Sequence, residues 1–235
     1  MTTAPITCPP REDGGERSFL LSGDGLEPTP VKRRRGQRAA DLVLGLTILA
    51  VLAPVLLLIA LLIRLDSPGP VFFRQVRLGR AREPFVMFKF RSMYADSSDE
   101  QHQAYIESLV RPAAAGLPEG LKKLTDDPRV TRVGKFLRAT SIDELPQLLN
   151  VVAGHMSLIG PRPALDYELV HYAPEHFARF LVRPGLTGLW QVSGRSRLGF
   201  LEMLDLDAEY ARSASLLVDL RILFRTPQAM FRRTA

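Results

Sequence analysis

The chain has 235 residues, 46% of them hydrophobic, and a formal net charge of +6, which suits one core with appendages and a protein that meets anions. Its single cysteine, Cys8, excludes an intrachain disulfide and fits a reducing compartment. No Walker loop, dinucleotide fingerprint, HExxH or paired CxxC is present, and His102, His155, His171 and His176 stand at no ligand spacing, which argues against a zinc enzyme.

Residues 1–38 are rich in Pro, Gly, Ser and charge without a period of 2 or 3.6, so they are predicted to be a disordered basic tail. The tail ends in Lys32, Arg33, Arg34, Arg35 and Arg38, a charge run whose place before an apolar segment favours a solvated or lipid-facing flank over nucleic-acid binding. Residues 39–66 form the membrane-inserted segment. Leu42 to Ile63 contains no charge and only Thr47 as a polar side chain, enough to cross a bilayer. The long preceding tail and the missing cleavage site exclude a signal peptide. Pro54 removes a backbone hydrogen bond near the middle and predicts a kink. Both flanks are basic, with Arg64, Arg74, Arg77, Arg80 and Arg82 following, whereas a single crossing normally biases one side. Two readings follow, a kinked span and a re-entrant helix that dips into one leaflet and returns. The second satisfies both flanks, provided the bend finds partners for its backbone.

Residues 67–228 form the remaining domain, with a short C-terminal tail at 229–235. Pro68, Gly69 and Pro70 predict a turn, and VFFRQ and PFVMFKF alternate as strands of a β-hairpin. Lys89 and Arg91 flank Phe90 and share one strand face, suited to phosphate or simply solvated. Asp96 to Val110 reads as a short helix, and Arg111 to Gly120 as a loop.

Arg129, Arg132, Lys135 and Arg138 recur every three residues, roughly one side of a helix, just ahead of SIDELPQLLN. Ser141 and Glu144 have capping-box spacing, while Pro146 suggests a slightly later helix start; both place Asp143 and Glu144 in a first turn. The positive pole there favours ionised carboxylates, by about 0.3–1 kcal/mol. Such a carboxylate can act as nucleophile or metal ligand; the plainer alternative is that Glu144 caps and Asp143 only favours the dipole.

VVAGHMSLIGPRP predicts a short strand ending in the rigid turn Gly160, Pro161, Arg162 and Pro163, which fixes the direction of Arg162 or merely joins two elements. LVRPGLTGLWQVSGRS repeats the device with Arg183 and Arg195 beside glycines, so that backbone and guanidinium can approach phosphate together. A helix carrying Glu202, Asp205, Asp207 and Glu209 follows. From Ser213 an amphipathic segment puts Leu216, Leu217, Leu220, Leu223 and Phe224 on one side, for a membrane interface or for the domain core.

The kinked apolar run, FKFRSM, SIDELPQLLNVVAGHMSLIGPRP, VRPGLTGLWQVSGR and LDLDAEY, in this order over about residues 36–228, resemble the monotopic bacterial sugar transferases, polyprenyl-phosphate glycosyl-1-phosphate transferases. The resemblance implies an enzyme of the bacterial inner membrane with a cytoplasmic catalytic domain. The implied fold is α/β: a re-entrant kinked helix, then a small domain with a short β-hairpin or sheet and interfacial amphipathic helices. It implies transfer of a sugar 1-phosphate from a UDP-sugar to undecaprenyl phosphate with release of UMP, opening lipid-linked glycan or exopolysaccharide assembly. By resemblance, Asp143 attacks phosphorus, Glu144 and Asp207 hold Mg²⁺, and Lys89, Arg138 and Arg162 bind phosphate, with Arg183 and Arg195 as further candidates from the motifs above. The implied partners are the UDP-sugar, undecaprenyl phosphate and membrane lipid, with no nucleic acid and a homodimer left open. One departure is Ala53, where family members commonly carry Ser before the kink proline; a hydroxyl that could serve the freed backbone is absent. The rival classes are a membrane phosphotransferase without a covalent stage and a membrane-anchored adaptor with a basic lipid- or nucleic-acid-binding face.

Overall fold

The computed structural model describes residues 36–94, 127–194 and 198–231. Most of the basic tail, the helix predicted over Asp96 to Val110, the loop from Arg111 to Gly120, and Arg195 lie outside the described residues.

Helix α1, Gln37–Asp66, is long and apolar enough to cross a membrane and runs through Pro54 as one element. Among the described residues, one stripe of it is covered. Asp41, Gly45, Ile59 and Ile63 are buried, with Ile48, Leu49, Leu56 and Ala60 packed beside them, the three-and-four repeat of a single helix face. Val51, Leu57, Leu58 and Leu65 on the other face are exposed. Each end is tied to the domain by buried or partly buried polar contacts. Near its start Asp41 Oδ1 accepts from Ser157 Oγ at 2.9 Å and from the Leu158 amide at 3.0 Å. At its end Asp66 Oδ2 accepts from the Val133 amide at 3.1 Å, and Arg91 Nη2 donates to Ser67 O at 2.7 Å.

Strands β1, Phe72–Leu78, and β2, Pro84–Phe90, form the antiparallel hairpin predicted by their alternation, in register from Phe72 opposite Phe90 to Leu78 opposite Pro84. Helix α2, Arg132–Thr140, starts at Thr131, whose side chain accepts from the Gly134 amide, and stops at Ser141 in the left-handed region at φ 59°. A 3₁₀ turn, Ile142–Glu144, joins it to α3, Gln147–Ala153, which ends at Gly154 with φ 90°. Strand β3, Ser157–Ile159, pairs in parallel with β4, Gly185–Thr187, and the 3₁₀ segments Asp166–His171 and Pro174–Leu181 lie between them in sequence. Helices α4, Leu189–Ser193, α5, Phe200–Ser213, and α6, Leu216–Phe231, follow. The mixed α/β class stands, built among the described residues on two small two-stranded sheets.

The main core joins Phe85 and Met87 of β2, Leu148 and Val151 of α3, Met156, Ile159 of β3, Tyr210 of α5 and Ile222 of α6. Asn150, fully buried, locks two of these elements together: its side chain donates to Val86 O at 2.7 Å and accepts from the Phe88 amide at 3.0 Å. A helix side chain thus completes the open edge of a strand. On α6 the apolar residues Leu216, Leu217 and Phe224 stay exposed while Ile222 and Asp219 turn inward.

Candidate active site at the acid turn

The acidic pair lies one turn earlier than capping-box spacing predicts. Ser141 makes no side-chain cap to the turn; its left-handed backbone instead ends α2, and Pro146 stands immediately before α3. Asp143 and Glu144 therefore occupy the 3₁₀ turn between two helices, leading into α3 rather than lying within it.

From β2, Lys89 reaches this turn, its Nζ 3.3 Å from Glu144 Oε1. The Asn150 bridge accounts for the meeting, because it fixes β2 against the helix that follows Glu144. Lys89, Glu144, Arg77, Arg162, Gln147 and Gln191 line a cleft of about 280 Å³, open solvent included, with Met87 and Leu186 as apolar wall. Three cations and one carboxylate thus converge. Lys89 and Glu144 are partly exposed, with side chains 23% and 41% accessible.

Arg77 is a functional candidate that the sequence pattern places merely in a membrane flank. It is buried, with Nη1 donating to Pro163 O at 3.1 Å and Nη2 to Gln75 Oε1 at 2.7 Å. Burial, and then the neighbouring charge of Arg162, push its pKa down to about 10, so it remains a cation at neutral pH. Gln75 and Arg77 share a strand face, the one signal that could have linked them. Arg91 departs from the expected phosphate-facing pair. It is buried and donates to carbonyls at the end of α1, as a cation at a helix C-terminus does. Arg38 is likewise drawn from the expected flank to cap α3, with Nη2 2.6 Å from Val152 O.

The other predicted residues are distributed around the cleft. Arg162 lines it, whereas Arg138, half-buried at the end of α2, and Arg183 do not. The Arg138 charge reaches Asp127, whose carboxyl is held below the usual range chiefly by its hydrogen bond to Arg129. The charge of Arg183 acts on Asp41 beneath the start of α1. Asp143, half-buried, shares the turn with Glu144 without being part of the cleft lining.

The glycines of the two arginine motifs serve backbone packing. A Cβ on Gly185 would lie 2.0 Å from Gly160 N, so these residues let β4 press against the chain leaving β3.

Asp207 departs most from expectation. It is fully buried, and its Oδ2 accepts from Arg179 Nη2 at 2.7 Å and from the Arg162 amide at 3.2 Å. Desolvation pushes its carboxyl up to about 7 against the opposing pull of Arg179. Asp207 thus pairs with a guanidinium through Oδ2 and is not among the residues that line the cleft with Glu144.

The family model for bacterial sugar transferases matches residues 32–233. The chain belongs to this family. It is 41% identical to the exopolysaccharide production protein ExoY of Sinorhizobium fredii, over 83% of this chain and 84% of that protein. It is 42% identical to a UDP-glucose:undecaprenyl-phosphate glucose-1-phosphate transferase of Caulobacter vibrioides, over 88% of this chain and 73% of that protein. A Salmonella typhimurium undecaprenyl-phosphate galactose phosphotransferase is 38% identical over 84% of this chain, which spans only 40% of that relative's length.

Magnesium, the metal implied by resemblance to this bacterial sugar transferase family, can be tested against the cleft's donors. Among the described residues no three His, Cys, Asp or Glu side chains converge. The cleft does offer hard oxygens: the part-exposed Glu144 carboxylate and Gln191 Oε1, a buried carbonyl oxygen with no hydrogen-bond partner among the described residues. One carboxylate with waters and substrate phosphate is a normal magnesium environment, so the residues fit an open site and not a closed protein cage.

Proposed function

We propose that this chain transfers a sugar 1-phosphate from a UDP-sugar to undecaprenyl phosphate, with Asp143 as nucleophile, in exopolysaccharide or glycan assembly. The observation that carries the reading is the convergence of Lys89, Arg77 and Arg162 with Glu144 in one cleft beside the acid turn. Cations on the non-bridging oxygens of a diphosphate stabilise the charge that shifts during phosphoryl transfer, and fixed positions make that help large. Glu144 and the Gln191 carbonyl would hold magnesium, which supplies further charge neutralisation on the diphosphate when bound.

A carboxylate oxygen of Asp143 attacks the sugar-bearing phosphorus, a new O–P bond forms, and the bond to the UMP oxygen breaks with its electron pair leaving on UMP. The resulting aspartyl phosphosugar is then attacked by a phosphate oxygen of undecaprenyl phosphate, and the Asp143 carboxylate leaves. Splitting the transfer lets UMP depart before the lipid occupies the site, so ping-pong kinetics are expected. Purified protein with magnesium, undecaprenyl phosphate and a panel of UDP-sugars should release UMP from at least one donor. Binding without UMP release from any donor would support an adaptor instead.

The same reading places α1 as a re-entrant element and the domain on the cytoplasmic side. Support comes from the polar ties at both ends of α1 to one small domain, since a crossing helix would carry one end to the opposite surface. The exposed apolar faces of α1 and α6 would then meet the same leaflet. In a Cys8→Ser background, Gly36→Cys and Pro70→Cys should both be shielded from an impermeant thiol reagent in intact cells. Labelling at Gly36→Cys alone would establish a crossing.

A further inference from the structure

We propose that Arg179 and Asp207 form a positioning pair that sets the direction of Arg162 into the cleft. This rests on the reading that the cleft binds the donor's phosphates. Both backbone polar groups of Arg162 are gripped by the pair: its N–H donates to Asp207 Oδ2 at 3.2 Å, and its C=O accepts from Arg179 Nη2 at 2.7 Å. The same Arg179 nitrogen donates to Asp207 Oδ2 at 2.7 Å, closing the ring.

The tripeptide Pro161, Arg162 and Pro163 is held throughout. Its three carbonyls accept in turn from the Gly185 amide at 2.8 Å, from Arg179, and from Arg77 Nη1 at 3.1 Å. The prolines fix their own φ and keep Arg162 out of the helical region, but they do not set which way the Arg162 side chain leaves the loop. That direction follows from the orientation of its flanking peptides, which the buried pair holds.

Arg179 is itself fixed. It is 2% exposed, donates to Tyr172 Oη, and lies 5.3 Å over the Tyr172 ring. Asp207 comes from α5, which docks on the 174–181 segment a second time through Asp205 Oδ1 and His176 Nε2 at 3.0 Å. A buried ion pair is a poor stabilising device, because desolvation offsets most of its attraction and apolar residues would serve as well. Its contacts with the one loop that carries a cleft arginine point to alignment of that arginine.

The test is a double-mutant cycle on kcat/KM for UMP release, with Arg162→Ala, Arg179→Lys and the two combined, each checked for a retained melting transition. Lysine keeps the charge of Arg179 but lacks the planar pair of nitrogens that holds Tyr172 Oη through Nη1 and, at the same time, the Arg162 carbonyl and Asp207 through Nη2. Arg179→Lys should lower kcat/KM by about 10- to 100-fold in the native background, since small misplacements of a binding group cost that much. In the Arg162→Ala background its further effect should fall within about twofold, because the group it positions is gone. An equal loss in both backgrounds, or no loss in either, would overturn the proposal.

Should Arg179→Lys fail to fold, Asp207→Asn enters the same cycle, retaining shape and an acceptor for the Arg162 amide. Asp207→Asn should also leave the magnesium concentration for half-maximal rate unchanged, and a shift would return Asp207 to a metal-holding role against the proposal. If neither variant folds, the pair is structural only and the proposal fails. Arg162→Ala with unaltered kcat/KM would instead show that the donor does not bind at this cleft, and would remove the proposal with that reading.

Discussion

The acid-turn pair Lys89–Glu144 and the loop-supporting pair Arg179–Asp207 use similar charges in different surroundings. The first spans 3.3 Å with side chains 23% and 41% accessible; the second spans 2.7 Å with 1% and 0%. Water screens the first, so holding it together is worth less than about 1 kcal/mol and either partner can be given up to phosphate or metal. The second has no solvent to replace a lost partner. The pair proposed to engage substrate or metal thus sits in the half-wet cleft, and the pair proposed to align Arg162 is dry.

The comparison can be broken most decisively at its buried member. Asp207→Ala leaves Arg179 buried and uncompensated and should destabilise the fold by about 3–5 kcal/mol in denaturant titration. A loss under about 1 kcal/mol would mean that water enters and the pair is not dry. Next in size is Asn150→Ala, expected to cost about 1–3 kcal/mol because the Phe88 amide and Val86 carbonyl lose their partner. Since Asn150 also holds β2 against α3, UMP release should fall with it. The smallest stability effect belongs to Glu144→Gln, less than about 1 kcal/mol, while activity falls and its magnesium dependence weakens. A large stability loss with full activity would reverse the roles given to the two pairs.

Much of the frame is legible from sequence. Alternation in VFFRQ and PFVMFKF marks the hairpin, whose first strand runs three residues further, to Leu78, and the apolar length of Leu42 to Ile63 marks α1. The acid turn is displaced because Ser141 has two possible roles: spacing to Glu144 suggests an N-cap, but the chain uses Ser141 as the left-handed stop of α2. Local spacing cannot separate those roles, since the choice depends on how α2 and α3 pack.

The arginines are harder still. Arg38, Arg77 and Arg91 carry the same charge as Arg162, yet each is turned inward onto carbonyls of residues distant in sequence, Val152, Pro163 and Ser67. No periodicity encodes such partners. Arg179 lies in a 3₁₀ segment whose apolar residues Phe177, Phe180 and Leu181 recur at helical spacing, a pattern that marks packing but not an ion-pair partner, and its value emerges only once Asp207 and Arg162 are brought to it by the docking of α5. Conversely, the predicted metal contact of Asp207 assumes an exposure that its burial removes.

The central claim, that the Asp143 carboxylate takes up the sugar phosphate, is tested most directly without any lipid acceptor. Protein mixed with magnesium and its UDP-sugar should release about one UMP per active site, and the peptide containing Asp143 should gain the mass of a sugar phosphate. Asp143→Asn should give neither signal while melting as the native protein does, because the amide matches in size but cannot attack. UMP release only when undecaprenyl phosphate is present, with no adduct on that peptide, would contradict the account and make the transfer a direct in-line displacement.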